Sequence, residues 1–216
     1  MPTEKVSWRF YYFCRALCRI FCAVFFKMHV TGLENIPGQG GVVFICNHQS
    51  YLDPLFCGIK LKRPIHFIAR RSLLNHPVFG AIIKALNIIP IKRGKPDLSA
   101  IKLSIKRLKQ EQIICLFPEG TRTSDGKIAP LKPGFSFLCI RAKVPIVPVL
   151  VEGAFDAWPR HKKLFRPGSI FVQYGKPIPY QKLQSLTDRQ CTEMLTETLR
   201  KMQNETRIQL EKNTTI

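Results

Sequence analysis

His48 and Asp53 stand five residues apart in the run Asn47-His48-Gln49-Ser50-Tyr51-Leu52-Asp53-Pro54, directly after the apolar segment GVVFIC (41–46). A histidine held by a carboxylate is suited to take a proton from a hydroxyl. Its ordinary pKa of about 6.5 lies near neutrality, and the carboxylate fixes the tautomer and stabilises the imidazolium that forms. On a regular helix this spacing leaves the two side chains about 140° apart, so they meet only across a turn. Pro54 favours a turn, because it disfavours helical geometry at Asp53 and suits a first helical position. The same residues fit a plainer reading, with Asp53 as a helix N-cap and His48 as a polar loop residue. Ser50 as a nucleophile activated by His48 ranks below direct base catalysis on a substrate hydroxyl, since no G-x-S-x-G elbow surrounds it.

Two further segments follow apolar runs in the same way: Lys92-Arg93-Gly94 after IIPI, and Pro118-Glu119-Gly120-Thr121-Arg122-Thr123 after IICLF. Arg93 and Arg122, at the ends of two different strands, suit convergence on a phosphate, for which the planar guanidinium offers paired donors. They also fit as solvated surface charges. Glu119 between such cations is either their ion-pair partner or a ligand to substrate hydroxyls.

These segments need strands to carry them. Short β-branched runs alternate with helical stretches, which predicts an α/β fold with a mixed, largely parallel sheet flanked by helices. The predicted strands are Gly41 to Cys46, Ile65 to Ala69, Ile88 to Ile91, Ile113 to Phe117, Ile146 to Val151 and Ile170 to Tyr174. In such sheets ligands collect at the carboxyl ends of the strands, where all three polar segments fall. Pro96-Asp97 opens a helix with Leu98, Ile101, Ile105 and Leu108 on one face. Thr187 and Gln190 form a capping box before about 25 residues of helix-forming sequence, whose polar tail NETRIQLEKNTTI is expected to fray.

The chain has 216 residues, of which 45% are hydrophobic, and a net charge of +20 from 34 basic and 14 acidic side chains. That excludes disorder and predicts one core-bearing domain, 29–216, behind an amino-terminal segment, 1–28. Eight cysteines without C-x-x-C pairs read as reduced, buried thiols, and no cluster of ligating residues has metal spacing. Cys14, Cys18 and Cys22 repeat every four residues, which reads as packing on one helix face.

Residues 5–28 lack the roughly 20 apolar residues of a membrane span, and Arg15 and Arg19 interrupt them. On a helical wheel Lys5, Arg9, Arg15, Arg19 and Lys27 share an arc of roughly 120°, with Phe10, Phe13, Leu17, Ile20, Phe21, Val24 and Phe25 elsewhere. This predicts an amphipathic helix at the membrane interface, its basic arc meeting anionic lipid. A helix packed on the domain with a solvated basic edge is the alternative. Thirteen Lys/Arg against one acid between Lys60 and Lys109 raise nucleic acid as a rival partner. No recognition motif supports it, and no nucleic acid is expected.

The blocks NHQSYLD (47–53), IKRG (91–94), FPEGTR (117–122) and VPIVPV (144–149) together resemble the glycerolipid acyltransferases, the likeness extending from about residue 30 to 180. The resemblance implies transfer of an acyl group from a thioester to the free hydroxyl of 1-acylglycerol-3-phosphate (lysophosphatidate), giving phosphatidate. By the same resemblance His48 is the general base and Asp53 its partner. Arg93, Glu119, Gly120 and Arg122 bind the glycerol-phosphate head, the small Gly120 admitting backbone amides, and the segment around Pro148 shapes the site near the acyl donor. No metal or cofactor is implied. Acyl-CoA or acyl carrier protein is the co-substrate, and the net charge does not choose between two anionic donors. Family members commonly carry a longer hydrophobic amino-terminal anchor, so a peripheral or shallow association with the cytoplasmic face of a membrane is expected here. Glycerol-3-phosphate or another lysophospholipid stands as the alternative acceptor, and a non-catalytic membrane-surface module as the rival from another class.

Overall fold

A computed structural model describes residues 8–75, 88–92 and 97–214. Its described strands form one seven-stranded sheet in the order β1-β7-β6-β2-β5-β3-β4. These are β1 (Phe26–Thr31), β2 (Val42–Cys46), β3 (Ile65–Arg70), β4 (Ile89–Ile91), β5 (Ile113–Leu116), β6 (Ile146–Glu152) and β7 (Gly168–Tyr174). Every pairing is parallel except β6 with β7. The centre is β2, buried at every residue, and its unbroken VVFIC suits a strand covered on both faces.

Period-two alternation divides the core. Phe44, Val147, Val149 and Val151 face one side, where Phe26, Phe56 and Tyr174 close over them. Val43, Ile45, Ile114, Ile146 and Leu150 face the other, under Leu108, Leu138, Leu195 and Leu199. Those last four belong to helices α3 (Leu98–Lys109), α4 (Phe135–Ala142) and α7 (Asp188–Thr214); between them in the chain lie the short α5 (Ala154–Ala157) and α6 (Tyr180–Gln184). Asp97 caps α3 by accepting from Ala100 N at 3.2 Å. The capping box of α7 forms as predicted, with Thr187 N donating to Gln190 Oε1 at 2.9 Å and Gln190 N to Thr187 Oγ1 at 3.2 Å.

The end of α7 departs from expectation. Helix continues to Thr214, because Arg207 Nε donates to Glu152 Oε1 at 2.8 Å and Gln203 Nε2 to Glu152 Oε2 at 2.7 Å, joining the polar tail to the end of β6. The amino-terminal helix also ends early: α1 spans Trp8–Phe25, and Phe26 begins β1 rather than another helical turn.

The packing of α1 departs from the expected separation of faces at one position, Arg15. Tyr11, Arg15 and Cys22 are buried against the domain, and Arg19 Nε donates to Ile59 O at 3.0 Å. Phe13, Leu17, Ile20 and Val24 face outward, the last two 62% and 68% exposed. Arg15, at the edge of the basic arc, thus turns inward, while Arg9 and Arg19 stay exposed and an apolar stripe is presented to the surroundings. Among the described residues no helix is long and apolar enough to cross a membrane.

Candidate active site

The loop after β2 is fixed before it turns. Asn47 Nδ2 donates to Val151 O and its Oδ1 accepts from Val151 N, both at 2.8 Å, which clamps the loop to β6. The chain then folds around one carboxylate. Asp53 Oδ2 accepts from Gln49 N at 2.6 Å and Ser50 N at 2.7 Å, and lies 2.7 Å from His48 Nδ1. The turn demanded by the five-residue spacing is thus built by Asp53 itself. Asp53 is the first residue of α2 (Asp53–Phe56), behind Leu52, and its side chain reaches backward, so the N-cap reading gives way. With Nδ1 against the carboxylate as donor, Nε2 is the proton acceptor of the neutral ring. The His48 side chain is 21% exposed and lines a cleft.

The remaining supports come from the loop after β5. Phe117 stacks on the His48 ring with centroids 4.4 Å apart. Glu119 Oε1 accepts from His48 N at 2.6 Å, Glu119 Oε2 from Ala129 N at 3.1 Å, and Thr123 N donates to His48 O at 2.8 Å. Glu119 is buried and does not border the cleft, so the structure gives it the His48 backbone to hold rather than a place among the cations. Burial pushes its carboxyl up to about 7, against the pull of the two backbone donors.

That shift has a defined sign. Between about 4.5 and about 7 the folded protein holds a proton that the unfolded chain has released, so this stabilisation is complete below 4.5 and is lost as pH rises to 7. At 1.36 kcal/mol per pH unit the interval amounts to roughly 3 kcal/mol. Urea titrations at pH 5 and pH 8 should show a wild-type decline that Glu119→Gln lacks; equal declines in both proteins would refute the assignment.

Gln49 and Ser50 anchor the loop from behind. Gln49 Nε2 donates to Glu152 Oε2 at 3.0 Å and Gln49 Oε1 accepts from Phe155 N at 3.1 Å. Through Glu152 the loop beside His48 is linked to Gln203 and Arg207 on α7. Ser50 is buried, and its Oγ donates to Trp158 O at 2.9 Å, which removes it as a nucleophile.

The cleft measures about 1000 Å³ and is mostly apolar. Arg122 borders it, its guanidinium carbon 3.3 Å from the centre of the Tyr51 ring and its Nη1 buried without a hydrogen-bond partner among the described residues. Lys132 borders it too, drawn in where Lys132 N donates to Pro118 O at 2.9 Å. Sequence reasoning passed over Lys132, which lies ten residues beyond Arg122 and is returned to it only by that hydrogen bond. Gly120 has φ 75°, and an added Cβ would come within 3.0 Å of Lys132 Nζ, so glycine here admits the turn and the lysine together. Gly120 N donates to Phe117 O at 3.0 Å. Arg93 lies outside the described residues. Pro148 is buried within β6 and is not among the residues lining the cleft. Among the described residues no three His, Cys, Asp or Glu side chains gather as metal ligands.

A largely parallel sheet with a His/Asp pair at its carboxyl ends, beside an apolar cleft edged with cations, has the architecture of an acyl-transferring enzyme. Residues 27–152 match the sequence model of the acyltransferase family, more than half of the chain, and the chain belongs to that family. It is 30% identical over 190 residues to the 1-acyl-sn-glycerol-3-phosphate acyltransferase of Bacillus subtilis, covering 88% of this chain and 92% of that protein. It is also 30% identical over 168 residues to the chloroplastic 1-acyl-sn-glycerol-3-phosphate acyltransferase BAT2 of Brassica napus, covering 76% of this chain and 48% of the plant protein. The chain thus spans most of the bacterial relative and about half of the plant one. The crystal structure of the 1-acyl-sn-glycerophosphate (LPA) acyltransferase PlsC from Thermotoga maritima superposes with a TM-score of 0.77 at 24% identity, over 91% of this chain and 81% of that one, and shares the fold.

Proposed function

We propose that the protein transfers an acyl group from an acyl thioester to the free hydroxyl of 1-acylglycerol-3-phosphate, forming phosphatidate. The observation that carries the reading is the 2.7 Å contact between His48 Nδ1 and buried Asp53, with the ring bordering an apolar cleft that also holds Arg122 and Lys132. Relatives bearing the names of lysophosphatidate acyltransferases over most of the chain support the choice of acceptor. His48 Nε2 takes the hydroxyl proton as the substrate oxygen attacks the thioester carbonyl. The tetrahedral intermediate then collapses, the carbon–sulfur bond breaks, and the imidazolium returns its proton to the departing thiolate. Asp53 holds the ring and stabilises its transient positive charge. No acyl-enzyme is required.

Arg122 and Lys132, with Arg93 as a third candidate, receive the phosphate of the acceptor. The donor is acyl-CoA or acyl carrier protein. Arg122→Ala should therefore raise the KM for 1-acylglycerol-3-phosphate by roughly tenfold or more, the worth of one charge-assisted contact, with a smaller effect on kcat. An unchanged KM would remove the clamp. Turnover of glycerol-3-phosphate or of a neutral lysophospholipid in preference to 1-acylglycerol-3-phosphate would replace the acceptor.

Both lipid substrate and product reside in a bilayer, and the outward stripe of α1 suits shallow burial in its interface. The eight unpaired thiols suit the reducing, cytoplasmic side. The double substitution Leu17→Asp with Ile20→Asp should cut co-sedimentation with anionic vesicles by roughly tenfold or more, because two exposed apolar contacts are lost, and should leave the thermal transition in place. Undiminished sedimentation would move the contact elsewhere.

A further inference from the structure

Arg15 is the most anomalous charge in the described structure. It is 8% exposed, and its Nε and Nη2 are closed off from water with no hydrogen-bond partner among the described residues. No acid is near in sequence to answer it: α1 contains none, and neither does the segment 57–70 that α1 covers. Its neighbour Arg19 repels it, and burial lowers its pKa. A buried cation without a counter-charge costs several kcal/mol, and an anion bound beside it offsets that cost.

Its position says what that anion is attached to. Ile65 N donates to the Tyr11 hydroxyl at 3.2 Å, and Arg19 binds Ile59 O, so Arg15, between them on α1, lies over the segment joining Ile59 to Ile65. It borders the same cleft as His48, whose lining also includes Tyr11, Cys18, Ile59, Ile65 and Phe67. Ile65 pairs with Ile113, four residues before the Phe117 that underlies His48. At about 3.3 Å per residue the cleft extends on the order of 13 Å from the His48 end to this one. One end holds the His/Asp pair, the other a guanidinium with two buried, unpartnered nitrogens among the described residues, and the wall between is apolar.

We infer that Arg15 binds the oxyanion, carboxylate or phosphate, of a single-chain anionic lipid whose alkyl chain lies along the cleft toward His48. The guanidinium supplies paired donors to either oxyanion, and the chain covers Ile59, Ile65 and Phe67. Such a molecule lies opposite in direction to an acyl substrate headed at His48 and excludes its chain. This reading goes beyond acyl transfer and does not depend on it.

Equilibrium binding to the full chain, below the micellar concentration and without an acyl donor, tests it with four probes: palmitate, hexadecyl phosphate, hexadecanol and inorganic phosphate. The wild type should bind one or both anionic lipids at least tenfold more tightly than hexadecanol, the two anions distinguishing a carboxylate from a phosphate source. Inorganic phosphate alone should not bind measurably. Arg15→Met should abolish the tenfold preference, and Arg15→Lys should keep part of it. Without ligand, Arg15→Met should melt no lower than the wild type, since it removes an unpaired charge; Arg15→Gln serves should methionine misfold. Equal binding of hexadecanol by the wild type, or a preference lost in Arg122→Ala and kept in Arg15→Met, would overturn the inference. The outcome stands whether or not phosphatidate is the product.

Discussion

Replacing His48 by alanine is expected to lower kcat by roughly 10² to 10⁴, the range for losing a positioned general base. The fold should not register the change. The contacts that fix this loop run through the His48 backbone, to Glu119 and from Thr123, and through Asn47, Gln49 and Ser50, all of which survive truncation of the ring. The thermal transition should therefore shift little while turnover collapses. Near-normal turnover in a folded His48→Ala protein would end the base assignment.

Asp53 should behave differently, because its carboxylate serves both chemistry and structure. Asp53→Ala removes the acceptor for two backbone N–H groups of buried residues, Gln49 and Ser50, at about 1 to 3 kcal/mol each, so activity and stability should fall together by a total of about 3 kcal/mol in stability. Asp53→Asn separates the two roles. Asp53 Oδ1 has no hydrogen-bond partner among the described residues, so an asparagine with its oxygen at the Oδ2 position keeps the turn's acceptor, loses the charge and leaves its buried amide N–H groups without a described acceptor. Turnover should still drop by roughly 10² or more, since the imidazolium is no longer stabilised, with a smaller loss of stability than in Asp53→Ala because the two backbone N–H groups keep their acceptor. Equal stability losses in Asp53→Ala and Asp53→Asn, or wild-type turnover in Asp53→Asn, would contradict this division.

The strands that build the centre of the sheet were legible because they are buried on both faces and read as unbroken apolar runs, as in VVFIC and IICLF. Edge strand β1 was not. Its Phe26, Met28 and Val30 alternate at period two, but Phe26 also follows Cys22 at helical spacing, and only pairing with β7 decides between them. The His48–Asp53 turn was inferable from spacing and Pro54. Its construction from two backbone donors was not, since amides leave no mark in sequence. The wheel of α1 located the basic arc and turned all of it to lipid or solvent, whereas Arg15 is buried. That burial depended on how α1 packs, with Arg19 reaching the Ile59 carbonyl and Arg15 bordering the cleft. The same limit hid Lys132, returned by the Pro118 carbonyl, and the ordered end of α7, held by Glu152 through Arg207. Local pattern reports periodicity and turn chemistry; which polar partners meet across the fold is set by tertiary contacts.

The most direct test of acyl transfer is phosphatidate formation from labelled 1-acylglycerol-3-phosphate in mixed micelles, with acyl-CoA and acyl carrier protein thioesters run in parallel and His48→Ala as the control. Labelled phosphatidate with at least one donor, falling by roughly 10² or more in the His48→Ala protein, is the predicted result. No phosphatidate from either donor with folded wild-type protein, or formation undiminished in His48→Ala, would contradict it.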